Sequence, residues 1–206
     1  MLRYIRSCGF VALLLIAAAS LSLAQAEFSA DIVDTAHPDR ATKVYSSKDK
    51  MRFESHGDAR DGGGSFIMNL STQTYLVIMD KQQMYMEMPA TAMERRGMFS
   101  FFKSGDVENA CPDWAKLRAN EGGTCHKDGH ETVNGRDTIK YSGTNAKGES
   151  TTAWIDAKLR FPVKWTGKNG GGEMRNIQEG SQPDSLFVPP AGYTKMDMSG
   201  MMPQHK

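Results

Sequence analysis

Few residues of this 206-residue chain are spaced for chemistry. His126, Asp128 and His130 form H-x-D-x-H, and in an uninterrupted strand the three side chains would share a face and could hold a metal ion. Asp128-Gly129 is also a turn signal, which would break that shared face. His37, His56 and His205 stand apart. No serine lies in a G-x-S-x-G turn and no H-E-x-x-H occurs. Neither Gly62-Gly63-Gly64 nor Gly170-Gly171-Gly172 runs into the Lys-Ser/Thr of a phosphate loop, so both read as turns. With no nucleophile, base or metal triad to assemble, the chain is expected not to be an enzyme and no catalytic residue is assigned.

Methionine is the anomaly, with 14 residues. Met84, Met86 and Met88 fall on one face of an extended strand, and Tyr85 and Glu87 fall on the other. Such unbranched side chains either fill a core beneath covering helices or line a cavity whose flexible, polarizable walls adapt to apolar chains of differing shape. A second group, Met196, Met198, Met201 and Met202 with His205, gathers at the C-terminus. Thioether and imidazole donors favour Cu(I), so a copper site in the tail is an alternative reading; no other cofactor is expected. The bland counterpart is an end whose methionines bind nothing.

Lys and Arg number 25 against 24 Asp and Glu, a net charge of +1, with 39% hydrophobic residues. That balance excludes a strongly basic nucleic-acid binder and fits one globular domain. Residues 10–19 are apolar, follow Arg3 and Arg6, and precede Ala24-Gln25-Ala26, the pattern of a secretory signal peptide over 1–26 with cleavage near Ala26. The run is about half of the roughly 20 residues a membrane-spanning helix needs, and no transmembrane segment is expected elsewhere. Cys8 precedes the run, where it cannot be the lipidated residue at a cleavage point. The expectation is an unanchored monomer in the periplasm or outside the cell. Cys111 and Cys125 then remain, an even pair in an oxidising compartment, and read as a disulfide. A zinc site would want four ligands and closer cysteine spacing.

The elements that must position these residues have a period of two, in short segments separated by turn residues. Phe28, Ala30 and Ile32 alternate with polar residues, as do Met51 and Phe53. Phe66, Met68 and Leu70 share a face, residues 75–79 form an apolar run, and Met84 to Met88 are ended by Pro89. Spacing becomes helical from 90 to about 120 and reads as two short helices joined by Gly105 and Asp106, the more convincing over 113–120, where Pro112 and Asp113 suit a first turn. The period of two returns at Val133, Ile139 with Tyr141, 153–155, Phe161 to Trp165, and 174–177, with turns at Asn134-Gly135, 145–148 and 169–172. The sum is about nine strands with one helical insertion.

The predicted fold is mainly β with α: a curved antiparallel half-barrel sheet closed by a short helical lid, since the helices are the only segment that could cover the concave face. The half-barrel domain spans 27–195, the lid insertion 90–123, and a flexible Met-rich tail 196–206. A two-sheet sandwich with the helices outside its core is the competing arrangement. The predicted cavity is lined by Phe66, Met68, Val77, Met84, Met86, Met88, Trp154 and Trp165 from the sheet and by Phe99, Phe101 and Phe102 from the lid.

Further motifs lie in the last third: Glu131-Thr132-Val133-Asn134-Gly135-Arg136, Ala153-Trp154-Ile155-Asp156, Phe161-Pro162-Val163-Lys164, Asn176-Ile177, Pro183-Asp184-Ser185-Leu186-Phe187 and Pro190-Ala191-Gly192-Tyr193. Over residues 27–196 the chain resembles the LolA/LolB-like superfamily of periplasmic lipoprotein carriers, nearest to its members of unassigned function. The resemblance implies a half-barrel around an apolar cavity that in the carriers takes up lipoprotein acyl chains. A disulfide here would tether the lid to the next strand, a departure from the carriers. The expectation is therefore a non-enzymatic binding or carrier protein for a lipid, a lipoprotein acyl chain or another apolar ligand. The alternatives are a copper-binding envelope protein and a structural or regulatory module that binds another envelope protein through strand edges.

Overall fold

The computed structural model describes residues 26–55, 63–89, 106–115, 122–168 and 170–196. Six strands come first: β1 (Phe28–Asp34), β2 (Ala41–Ser47), β3 (Lys50–Ser55), β4 (Gly64–Asn69), β5 (Thr74–Met79) and β6 (Met84–Pro89). A 3-10 turn (Val107–Asn109) and helix α1 (Cys111–Ala115) follow. Then come β7 (Thr124–Val133), β8 (Arg136–Thr144), β9 (Ser150–Asp156), β10 (Phe161–Gly167), β11 (Gly170–Glu179), a second 3-10 turn (Asp184–Phe187) and the two-residue β12 (Thr194–Lys195).

All twelve strands form one sheet in the order β12-β6-β5-β4-β3-β2-β1-β11-β10-β9-β8-β7. Each half is a meander of antiparallel hairpins, β1 to β6 and β7 to β11. They join where β1 pairs antiparallel with β11; β12 alone runs parallel, beside β6. Asn134-Gly135 makes the tight β7–β8 turn, both residues with φ above zero (50° and 77°), which is what the Asn-Gly pair supplies at low cost.

β6 and β7 are consecutive strands that lie toward opposite ends of the sheet, joined by the segment expected to form the lid. Its described part lands on the inner face: Ala110 packs with Ile139, Tyr141 and Ile155, alongside Val107 and Cys111. The Tyr141 hydroxyl donates to the Val107 carbonyl at 2.8 Å and accepts from the Ala110 amide at 3.2 Å. The expected disulfide is present, with the Cα atoms of Cys111 and Cys125 5.5 Å apart, and it ties α1 to β7.

The main core draws Phe28, Val44, Met51, Met68 and Tyr75 from one half and Phe161, Val163 and Met174 from the other into a single cluster with Leu159. Side chains so far apart in strand order meet only because the sheet curls around them. The curved half-barrel is the arrangement found, and the sandwich is excluded. The outer face of β3–β6 is covered by the C-terminal segment, where Phe187, Leu186 and Tyr193 pack on Ile67, Ile78 and Tyr85.

Four details differ from expectation. Gly170-Gly171-Gly172, expected as a turn, are the first residues of β11, paired with Gly167, Thr166 and Trp165 of β10. β2 is a full strand that the pattern did not reveal. Helix α1 begins two residues before Asp113, at Cys111, and of the expected 113–120 helix only 113–115 is described. Asp128-Gly129 is a bulge inside β7, not a turn: Lys127 pairs with Tyr141 and Gly129 with Lys140, which leaves Asp128 as the extra residue.

Candidate functional site

Strand pairing stacks the inner-face side chains of β1 to β6 into three rows. The deepest is Phe28, Ser46, Met51, Met68, Tyr75 and Met88; the next is Ala30, Val44, Phe53, Phe66, Val77 and Met86; the third is Ile32, Thr42, Ser55, Gly64, Met79 and Met84. Burial falls from the first row to the third, and from β1 toward β6. Met68 is fully buried, whereas Phe53, Phe66, Val77, Met79, Met84 and Met86 are each only half-buried. A hollow of about 370 Å³ opens there, walled by the side chains of Thr42, Phe53, Ser55, Phe66 and Val77. That volume lies within the roughly 300–1,000 Å³ of small-molecule sites.

A second hollow of about 500 Å³ shares Thr42 with the first. Its walls are mixed: Ile32 and Trp165 beside Asp34, Arg40, Asn145, Glu149 and Lys168. Trp165 can lie here because it pairs with Gly172 across β10 and β11. A Cβ at Gly172 would stand 2.3 Å from the Trp165 ring, so only glycine leaves the indole room. Lys168 reaches Glu149 at 2.7 Å, and its ammonium, with the Asn145 amide, holds that carboxyl below its ordinary value.

The residues expected to line the cavity therefore divide. Phe66 and Val77 wall the apolar hollow, Met84 and Met86 continue its rows onto β6, and Trp165 walls the polar hollow. Met68 and Met88 sit in the deepest row, where Met88 Sδ accepts from the Tyr75 hydroxyl at 3.4 Å. Trp154 lies on the outer face, opposite its neighbours Ala153 and Ile155, with the ammonium groups of Lys140 and Lys164 5.2 and 4.7 Å from its ring centre. Phe99, Phe101 and Phe102 lie outside the described residues. Sequence reasoning missed Phe53, Thr42 and Arg40; Phe53 was visible as an alternating apolar residue, while Thr42 and Arg40 carried no signal.

The histidine motif is not assembled. The bulge at Asp128 sends His130 toward Glu108, 3.6 Å away on the inner side, while Asp128 accepts from the Ser142 hydroxyl at 2.8 Å. No group of three or more His, Cys, Asp or Glu residues that could hold a metal occurs among the described residues. Of the tail donors only Met196 is described, its amide donating to the Tyr85 carbonyl at 2.8 Å; Met198, Met201, Met202 and His205 lie outside the described residues. No described helix is long and apolar enough to cross a membrane.

No known family and no curated protein matches the sequence. Among solved structures, an uncharacterized conserved protein from Thermus thermophilus is similar over 84% of this chain and 91% of its own, at 8% identity and a TM-score of 0.53. The likeness is one of fold. Matches of lower TM-score include a LolA superfamily protein from Nitrosomonas europaea, at 11% identity, a TM-score of 0.29, and coverage of 79% and 88%. Another is the MucA/MucB complex from Pseudomonas aeruginosa, at 12% identity and 0.36, where 81% of this chain spans only 56% of the matched one. The chain adopts the expected half-barrel, one open curved sheet with a helical segment on its inner face.

Proposed function

We propose that the protein is a non-enzymatic binding protein of the bacterial envelope that holds an apolar chain, of a lipid or of a lipoprotein, against the inner face of its sheet. The observation that carries this reading is the way the apolar rows end. A sheet face that needed only to be solvated would finish in polar side chains, but here Phe53, Phe66, Val77, Met79, Met84 and Met86 remain half-buried around an open hollow. Burying such area against a hydrocarbon chain yields roughly 25 cal/mol per Å². The thioethers at the β6 end adapt to chain shape at little cost. The leader-like pattern over 1–26 supports an envelope location.

The test is binding of an apolar fluorescent dye to the purified protein. Met86→Asp places a carboxylate beside Val77 in the middle row, and is expected to abolish the fluorescence gain while circular dichroism and the unfolding transition stay near wild type. Equal dye binding by the folded variant would contradict the reading.

A further inference from the structure

The hollow beside the apolar one carries charges that a hydrocarbon chain has no use for. Arg40 makes no ion pair among the described residues, and Asp34 accepts from the Ala36 amide at 2.6 Å but meets no cation there. Lys168, the other cation of the hollow, is already neutralised by Glu149. Among the described residues the rim thus offers a cation and an anion without an ion-pair partner, together with the face of the Trp165 ring, all lining one space. Thr42 belongs to this space and to the apolar hollow, and the two lie on adjoining strands of one face.

We infer that the occupant is a phospholipid with a zwitterionic headgroup, an assignment that rests on the apolar reading above. Its phosphate would meet the Arg40 guanidinium, whose fork of donors suits phosphate oxygens. Its ammonium would meet the Asp34 carboxylate and the Trp165 ring, which attracts cations through its face. Its acyl chain passes Thr42 and lies along Phe53, Phe66, Val77 and Met86. From β1 to β6 this path crosses five strand spacings, about 24 Å at roughly 4.8 Å each. A fatty acid, or a phospholipid such as the glycerol lipid whose phosphate is its only charge, would leave Asp34 unmatched.

Displacement of a bound apolar dye by three amphiphiles of one acyl length tests this: lysophosphatidylethanolamine, lysophosphatidylglycerol and the free fatty acid. The ethanolamine lipid is expected to act at about one tenth of the concentration of the other two, the worth of one charge-assisted hydrogen bond. Asp34→Asn, at the exposed end of β1, keeps an acceptor for the Ala36 amide and is expected to bring the ethanolamine lipid down to the potency of the glycerol lipid. Equal potency of all three, preference for the glycerol lipid, or an ethanolamine-lipid advantage that survives in Asp34→Asn would overturn the headgroup assignment while leaving the apolar site standing. Failure of the dye to bind at all would overturn both.

Discussion

Asp156 closes the far half of the sheet. Its side chain is buried at the end of β9, where one carboxylate oxygen accepts from the Lys158 and Leu159 amides at 2.9 and 2.7 Å, and the other takes the Arg136 guanidinium. Arg136 in turn reaches Glu179 at 2.8 Å, so one ionic group links β8, the β9–β10 turn and β11. The Lys158 ammonium and then Arg136 hold the Glu179 carboxyl below its ordinary value of 4.5. Asp156→Ala would strand a half-buried guanidinium and two turn amides, and is expected to cost about 3 kcal/mol in denaturant unfolding. Asp156→Asn keeps an acceptor for the amides and is expected to cost less; equal, small losses in both would contradict this role. The turn at Asp156 was legible, because an aspartate after Trp154-Ile155 is a local signal. Its partners were not, since Arg136 and Glu179 come together only through the sheet. The same limit explains the two tryptophans: alternation says that Trp154 and its neighbours face opposite ways, but only the register across β9, β10 and β11 decides which way is inward.

Elements with strong alternation were read well, and those with small or interrupted patterns were not. β2 places Thr42, Val44 and Ser46 on the inner face, too small and polar to announce a strand. In β7 the Asp128-Gly129 pair imitates a hairpin turn, yet the ladder continues past it because Gly129, at φ 127°, absorbs the extra residue. The lid's seat was readable only in part. The cysteine pair and the helical spacing were visible, whereas the double hydrogen bond from Tyr141 to residues 107 and 110 depends on a contact more than 30 residues distant. The disulfide closes a loop with a sequence separation of 14, which in the chain-entropy account stabilises by about 3 kcal/mol. Replacing both cysteines with serine should lower unfolding stability by that order and raise amide hydrogen exchange in 107–115 ahead of the sheet. Unchanged exchange there would mean that the Tyr141 contacts alone hold the segment.

At the scale of the molecule, one topological fact governs the rest: the two meanders join through β1 and β11, leaving β6 and β7 toward far ends, with the described part of their connection seated on the inner face. A sheet that curls around one core in this way has a deep row that is filled and shallower rows that open toward β6. The half-barrel could be foreseen because only the helical insertion was available to cover a concave face. The division of that face into an apolar trough and a charged rim could not, because Arg40, Asp34, Glu149 and Lys168 come from three separate loops and strand ends. Native mass spectrometry of the protein purified from its own envelope, beside Met86→Asp purified in the same way, tests the central claim most directly. The account predicts a lipid-sized adduct on the wild-type protein that is lost from the folded variant; bare protein mass in both, or the same adduct on both, would contradict it.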